Sequence, residues 1–253
     1  MSSTVDSPAD VQPSENDRSE RSGKPQRQSK SDRQSKSDGQ PSRGWFKILF
    51  YQVLRYLARM VGVLFFDLRC YGRHHLHDGS ALVLSTHQSN FDPVLVGLMF
   101  NDRLNYLARR TLFKNRLFAG LIRLLDAIEL DRDRSGLAGL KETLKRLKAD
   151  QKVLVFPEGT RTPDGKIAKL KPGFLAVARR SQVPLIPIAI TGAYEVLPRG
   201  SKFPRRHPIR LAIGPPVKFS DYENLTDAQA LQMLSQRLHR CYGQLQQLCI
   251  AHA

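Results

Sequence analysis

Acidic residues are scarce in this chain. Its 23 Asp and Glu stand against 40 Lys and Arg, a formal net charge of +17 with pI near 10.2. A fold so short of acid has polyanions as its expected partners: nucleic acid, an anionic membrane face or phosphorylated substrates. Cysteine is scarcer still. Cys70, Cys241 and Cys249 are an odd number without metal-ligand spacing. They exclude a disulfide framework and suit a reducing compartment. The N-terminus has no apolar stretch of the kind that opens a secretory signal, so none is expected. Two glycine signatures are missing as well, G-x-S-x-G and G-x-G-x-x-G. The stretch Gly159 to Lys166 is one residue too long for a phosphate loop, and Ile167 stands where that loop needs Ser or Thr. A serine-elbow hydrolase, a dinucleotide fold and a P-loop NTPase are thereby set aside.

What is present divides the 253 residues unevenly. Residues 1–43 hold 8 Lys/Arg, 7 Asp/Glu and 11 Ser, with only Met1, Val5 and Val11 as larger apolar side chains. Such a segment buries too little apolar surface to offset its ordering entropy, so a disordered tail is expected there. Nearly all of the net positive charge therefore belongs to the part that folds. From Gly44 the composition turns apolar. Residues 45–66 have the length of a membrane span, but Lys47, Arg55 and Arg59 interrupt them, and the longest uncharged stretches are seven residues. On a helical wheel Lys47, Gln52, Arg55 and Arg59 fall within about 140° of one another, and the remainder is apolar or aromatic. An ordinary amphipathic helix packed on the domain would show two faces too. Trp45 at the entry and six further aromatics favour a helix lying in a membrane interface, within a region spanning residues 44–70.

Beyond it, residues 71–253 alternate strand and helix signals. Short apolar runs predict strands at Ala81–Ser85, Ala127–Arg132, Val153–Phe156, Leu185–Ile190 and Ile209–Ile213. Helical spacing covers Pro93–Phe100, Leu117–Leu125, Leu137–Lys148, Phe174–Arg180 and Asp227–Leu248, the last with Thr226 as a cap. This alternation predicts an α/β fold, a single-domain mixed β-sheet flanked by helices, preceded by the amphipathic membrane-associating helix.

Two strand ends carry the residues suited to chemistry. Ala81–Ser85 runs into Thr86-His87-Gln88-Ser89-Asn90-Phe91-Asp92. A histidine just past a strand end sits at the rim of a sheet, where α/β sites form. A carboxylate five residues on can reach one ring nitrogen, fix the tautomer and support the imidazolium. The second end is Phe156-Pro157-Glu158-Gly159-Thr160-Arg161, an apolar run handed to an acid, a glycine, a hydroxyl and a guanidinium. Arg132, at the end of an alternating strand, adds a second guanidinium fit for phosphate. His75-Leu76-His77-Asp78 lacks a further ligand at useful spacing, so no metal is expected.

The four pieces in this order resemble the glycerolipid acyltransferase family, in particular the bacterial 1-acylglycerol-3-phosphate acyltransferases. Its H-x-x-x-x-D block is matched by His87 to Asp92, with Thr86 where Asn is usual. Its arginine-ending block is matched by Asp126 to Arg132, with Asp126 where Gly is common. Its F-P-E-G-T-R block is matched throughout by Phe156 to Arg161, and its V-P-I-x-P-V block by Val183 to Ile188. The resemblance covers roughly residues 45–220. It implies that His87 is the general base and Asp92 its orienter. Arg132, Glu158, Gly159, Thr160 and Arg161 would hold the acceptor. The expected reaction moves a fatty acyl group from acyl-CoA or acyl carrier protein, as co-substrate, to the sn-2 hydroxyl of lysophosphatidic acid. Phosphatidic acid would be the product, for phospholipid biosynthesis. No cofactor is implied. A lyso-ornithine lipid or glycerol 3-phosphate is the alternative acceptor. The implied partners are a lysophospholipid, the acyl donor and an anionic membrane surface at the cytoplasmic face of the cell membrane, bound peripherally. No nucleic-acid module is recognised, so nucleic acid is not expected.

Overall fold

The β2 strand Ala81–Ser85 is buried at every position, and this sets the architecture. A strand apolar on both faces needs a layer on each side. Ala81 and Val83 join one core, with Leu154, Ile186, Ile188, Leu211 and Ile213 from neighbouring strands. Leu82 and Leu84 join the other, with Val153, Phe174, Leu175, Leu234 and Leu238. The computed structural model describes residues 45–101, 104–109, 127–130, 135–201 and 203–250, all within one compact unit.

Seven strands form one sheet: β1 (Arg69–Tyr71), β2, β3 (Leu104–Arg109), β4 (Ala127–Leu130), β5 (Lys152–Val155), β6 (Leu185–Thr191) and β7 (Arg210–Ile213). Their order is β1-β7-β6-β2-β5-β3-β4. All pairs are parallel except β6 with β7, so the sheet is mixed. Helices cover it: α1 (Trp45–Phe66), α2 (Asp92–Gly97), α3 (Ser135–Lys148), α4 (Gly173–Ser181), α5 (Ala193–Val196) and α6 (Asp227–Ile250). Thr226 caps α6 as expected. Its Oγ1 accepts the Gln229 N–H, and the Gln229 side chain accepts the Thr226 N–H at 2.9 Å, a reciprocal capping box.

Several expected bounds shift. The helix expected over Pro93–Phe100 stops at Gly97. Strands β1 and β3 went unrecognised in the sequence, and β1 straddles the expected domain boundary at residue 71. The tail of residues 1–43, the helix expected at 117–125, Asp126 and Arg132 lie outside the described residues.

Helix α1 occupies its expected range, and its narrow polar stripe faces the domain. Ala58 and Phe66 pack on the core, and Gly62 meets Leu68 so closely that an added Cβ would lie 2.8 Å from Leu68 Cδ2. Gln52, Arg55 and Arg59 share this inner side, and Arg55 donates to the Asn101 carbonyl at 2.5 Å. The apolar residues look outward: Leu49, Val53, Tyr56, Leu57, Met60, Val61, Val63, Leu64 and Phe65 are all exposed. No described helix is long and apolar enough to cross a membrane. Asp67, in a left-handed turn at φ 40°, ends the helix. The Arg210 guanidinium bonds both its carbonyl and its carboxylate, and holds that carboxyl below its ordinary range.

Candidate active site

Because β2, β5 and β6 run parallel side by side, their carboxyl ends open on the same edge of the sheet. Loops after such ends converge, and ligands bind there. Three do so here: Thr86–Asp92 after β2, Phe156–Thr162 after β5, and Gly192–Leu197 after β6.

The turn after β2 folds back on itself, and Asp92 is the reason. Its side chain is fully buried, and one oxygen, Oδ2, accepts the N–H of Gln88 at 2.6 Å and of Ser89 at 2.7 Å. The same oxygen accepts the His87 Nδ1–H at 2.8 Å. Oδ1 has no partner among the described residues. Burial pushes the Asp92 carboxyl up, while His87, Ser89 and Gln88 pull it back toward the ionised form. The imidazole is flattened against Phe156, ring centres 3.9 Å apart and planes 17° from parallel. Its side chain keeps 19% exposure. With Nδ1 committed to Asp92, Nε2 on the far side of the ring is left for a substrate proton.

Glu158 ties the two loops together. One carboxylate oxygen accepts the His87 N–H at 2.9 Å and the other accepts the Ala168 N–H at 3.0 Å. Burial, the largest influence, raises this carboxyl to about 7. Both its oxygens accept backbone N–H groups, so in this structure Glu158 braces the two loops. A second tie runs from the Thr162 N–H to the His87 carbonyl at 2.8 Å. Gly159 adopts φ 71°, and a Cβ there would sit 3.1 Å from Lys171 Cδ. Glycine thus serves both the left-handed turn and the close passage of Lys171. Thr160 is exposed and Arg161 half-buried. Burial first, then the nearby Arg199 guanidinium, lowers the Arg161 pKa, and Asp92 opposes them. Arg161 makes no hydrogen bond or ion pair among the described residues. A half-buried guanidinium next to another, without a carboxylate partner, is suited to an anion.

The third loop was not read as part of the site. Gln88 donates to the Gly165 carbonyl at 2.8 Å and accepts the Tyr194 N–H at 3.3 Å. Ser89 Oγ donates to the Leu197 carbonyl at 3.0 Å, and Tyr194 Oη donates to the Pro163 carbonyl at 2.8 Å. Thr86, where Asn is usual, is buried and its hydroxyl accepts the Ile190 N–H at 3.0 Å. The buried polar side chains of the H-x-x-x-x-D block thus hold it in place. Their types were visible in the sequence; their partners, far along the chain, were not.

An aspartate-backed histidine at the carboxyl ends of parallel strands, with the hydroxyl of nearby Ser89 donated to the Leu197 carbonyl, is an arrangement suited to activating an incoming hydroxyl. The comparisons name the family. The acyltransferase family model matches residues 48–191, and the chain belongs to that family. It is similar to the 1-acyl-sn-glycerol-3-phosphate acyltransferase of Bacillus subtilis, 27% identical over 72% of this chain and 91% of that one. The enzyme of the same name from Pseudomonas aeruginosa is 32% identical over 63% of this chain and 62% of its own length. Among solved structures, the 1-acyl-sn-glycerophosphate (LPA) acyltransferase PlsC from Thermotoga maritima superposes with a TM-score of 0.69 at 26% identity. The match covers 82% of this chain and 84% of that chain.

Proposed function

We propose that this acyltransferase moves a fatty acyl group from a thioester donor, acyl-CoA or acyl carrier protein, to the sn-2 hydroxyl of lysophosphatidic acid. The observation that carries the reading is the Asp92–His87 pair, at 2.8 Å, beside Arg161, which has no hydrogen-bond or ion-pair partner among the described residues. His87 Nε2 takes the hydroxyl proton as the oxygen attacks the thioester carbonyl. The tetrahedral intermediate then expels the thiolate, which receives the proton from His87. An ester and a free thiol result, and no acyl-enzyme is needed. Asp92 holds the Nδ1–H tautomer and balances the imidazolium. Arg161, with Arg132, holds the acceptor phosphate; Gly159 and Thr160 shape the turn that presents it. Glu158 acts through His87, as a brace on its backbone.

The enzyme works on a membrane surface, at the cytoplasmic face of the cell membrane, with the apolar side of α1 in the interface. Nine large apolar side chains left exposed on one helix support this, because a soluble monomer rarely presents such a patch. The test of the acceptor is a panel of lysophosphatidic acid, glycerol 3-phosphate and a lyso-ornithine lipid, each with one acyl-CoA. Lysophosphatidic acid should be preferred, and Arg161→Ala should raise its KM about tenfold or more. Equal turnover of a phosphate-free lysolipid, unaffected by that substitution, would move the reading to another acceptor.

A further inference from the structure

Phe203 is 81% exposed, the most exposed of the large apolar residues described, and it stands in a segment without a single carboxylate. Arg199, Arg205, Arg206 and His207 surround it in sequence, and all are exposed. None of the three arginine side chains has a partner among the described residues. The segment is nevertheless well tied. Ser201 N–H donates to the Pro198 carbonyl at 3.1 Å, and Arg205 N–H to the Val196 carbonyl at 2.8 Å. At one end, the Leu197 carbonyl takes the Ser89 hydroxyl, so the segment leaves directly from the His87–Asp92 turn. At the other end, Ile209 N–H donates to the Phe66 carbonyl at 2.9 Å and the Arg69 N–H to the Ile209 carbonyl at 3.1 Å. That junction is the end of α1, where Leu64 and Phe65 are exposed.

We propose that the segment from Arg199 to Pro208 is a second membrane contact, in which Arg205 and Arg206 take the phosphates of anionic lipids and Phe203 enters the interface. The proposal rests on the interfacial reading of α1 given above and extends it to a separate element. Three features select a lipid surface. The arginines supply charge complementary to anionic head groups, and each basic residue near such a surface adds a similar increment of binding. An exposed aromatic among basic residues suits the head-group level of a bilayer. The backbone tie between Ile209 and Phe66 anchors the segment to the end of α1, where Leu64 and Phe65 are exposed, so that one lipid surface can receive both elements. With α1 alone, the protein could roll about the helix axis. A second contact fixed to Ser89 through Leu197 would set the His87 turn at a constant attitude to the bilayer, where a lysolipid hydroxyl presents itself.

The test is co-sedimentation of the full chain with vesicles of phosphatidylcholine alone and of phosphatidylcholine mixed with phosphatidylglycerol. Arg205→Gln/Arg206→Gln should weaken binding to the anionic vesicles roughly 30-fold and leave the neutral ones nearly unchanged. Phe203→Ala should weaken both. Thermal unfolding midpoints equal to the parent's show that the variants fold. Turnover of a short-chain, vesicle-free acceptor should stay at the parent level. Were the parent to show no turnover at all, the catalytic reading would fail while the vesicle result still decided this one. Anionic-vesicle binding by the double variant equal to the parent's overturns the proposal. So does unchanged vesicle binding with slower turnover only for an acyl carrier protein donor, which would assign the segment to the carrier.

Discussion

The His87–Asp92 pair owes its geometry to one oxygen. Asp92 Oδ2 collects two backbone N–H groups and the imidazole, so the carboxylate that shapes the turn also orients the base. Asp92→Asn preserves the side chain's size but presents an amide where Nδ1–H needs an acceptor. It should lower kcat by ~10³–10⁴-fold with little change in KM, read by steady-state thiol release. Glu158 gives a different signature. Its carboxyl keeps a proton up to about 7 in the fold, against 4.5 ordinarily. Between those values the unfolded chain holds fewer protons than the folded one, so this group's contribution to stability falls as pH rises through the window. Denaturant titrations at a series of pH values should show the decline, and Glu158→Gln should flatten it. These residues were legible from the sequence to different degrees. His87 and Asp92 lie five apart, and one turn brings them together. The bracing contacts of Glu158 were not legible, because its partners, His87 and Ala168, are backbone groups, and a sequence pattern does not reveal which amides a fold leaves needing an acceptor.

At the scale of elements, the central strands were the easiest to read. β2 and β6 are apolar on both faces, and periods of that kind leave little choice of structure. β1 has three residues, Arg69 to Tyr71, too few to carry a pattern, and it is defined by its pairing with β7. Helix α1 shows the limit most clearly. The wheel gave two faces but not which one meets the protein. Arg55 on Asn101 and Gly62 on Leu68 show that the polar side is inward. Leu57→Glu/Leu64→Glu places charge on the outer side and should release the protein from vesicles while its unfolding midpoint stays put. Gly192 joins β6 to α5 at φ 84°, and a Cβ there would lie 1.9 Å from the Pro208 carbonyl oxygen. Gly192→Ala must displace that backbone. The cost should be several kcal/mol, ~2 or more beyond an ordinary surface substitution, measured by denaturant unfolding. Activity should fall with it, because Tyr194 just beyond supports Gln88.

For the molecule as a whole, the shortage of acid becomes meaningful once the charge is placed. Arg161 and Arg199 stand at the carboxyl ends of the central strands, Arg205 and Arg206 on the segment leading away from them. That segment is tied by backbone to the end of α1 at Phe66, next to the exposed Leu64 and Phe65. On the proposed reading, one basic edge meets both substrate phosphate and lipid phosphate, and vesicle binding should weaken steeply with salt. The ordered blocks made the family legible from the sequence, because each is local. The third loop, with Leu197 and Tyr194 gripping the His87 turn, was hidden because those contacts span more than a hundred residues. The central claim is that His87 removes the acceptor proton. Purified protein in detergent, given lysophosphatidic acid and acyl-CoA, should release free thiol, and His87→Ala should bring the rate down to no more than a few per cent of the parent's, about 10²-fold or lower. A folded His87→Ala protein that keeps a substantial part of the parent rate would contradict the account.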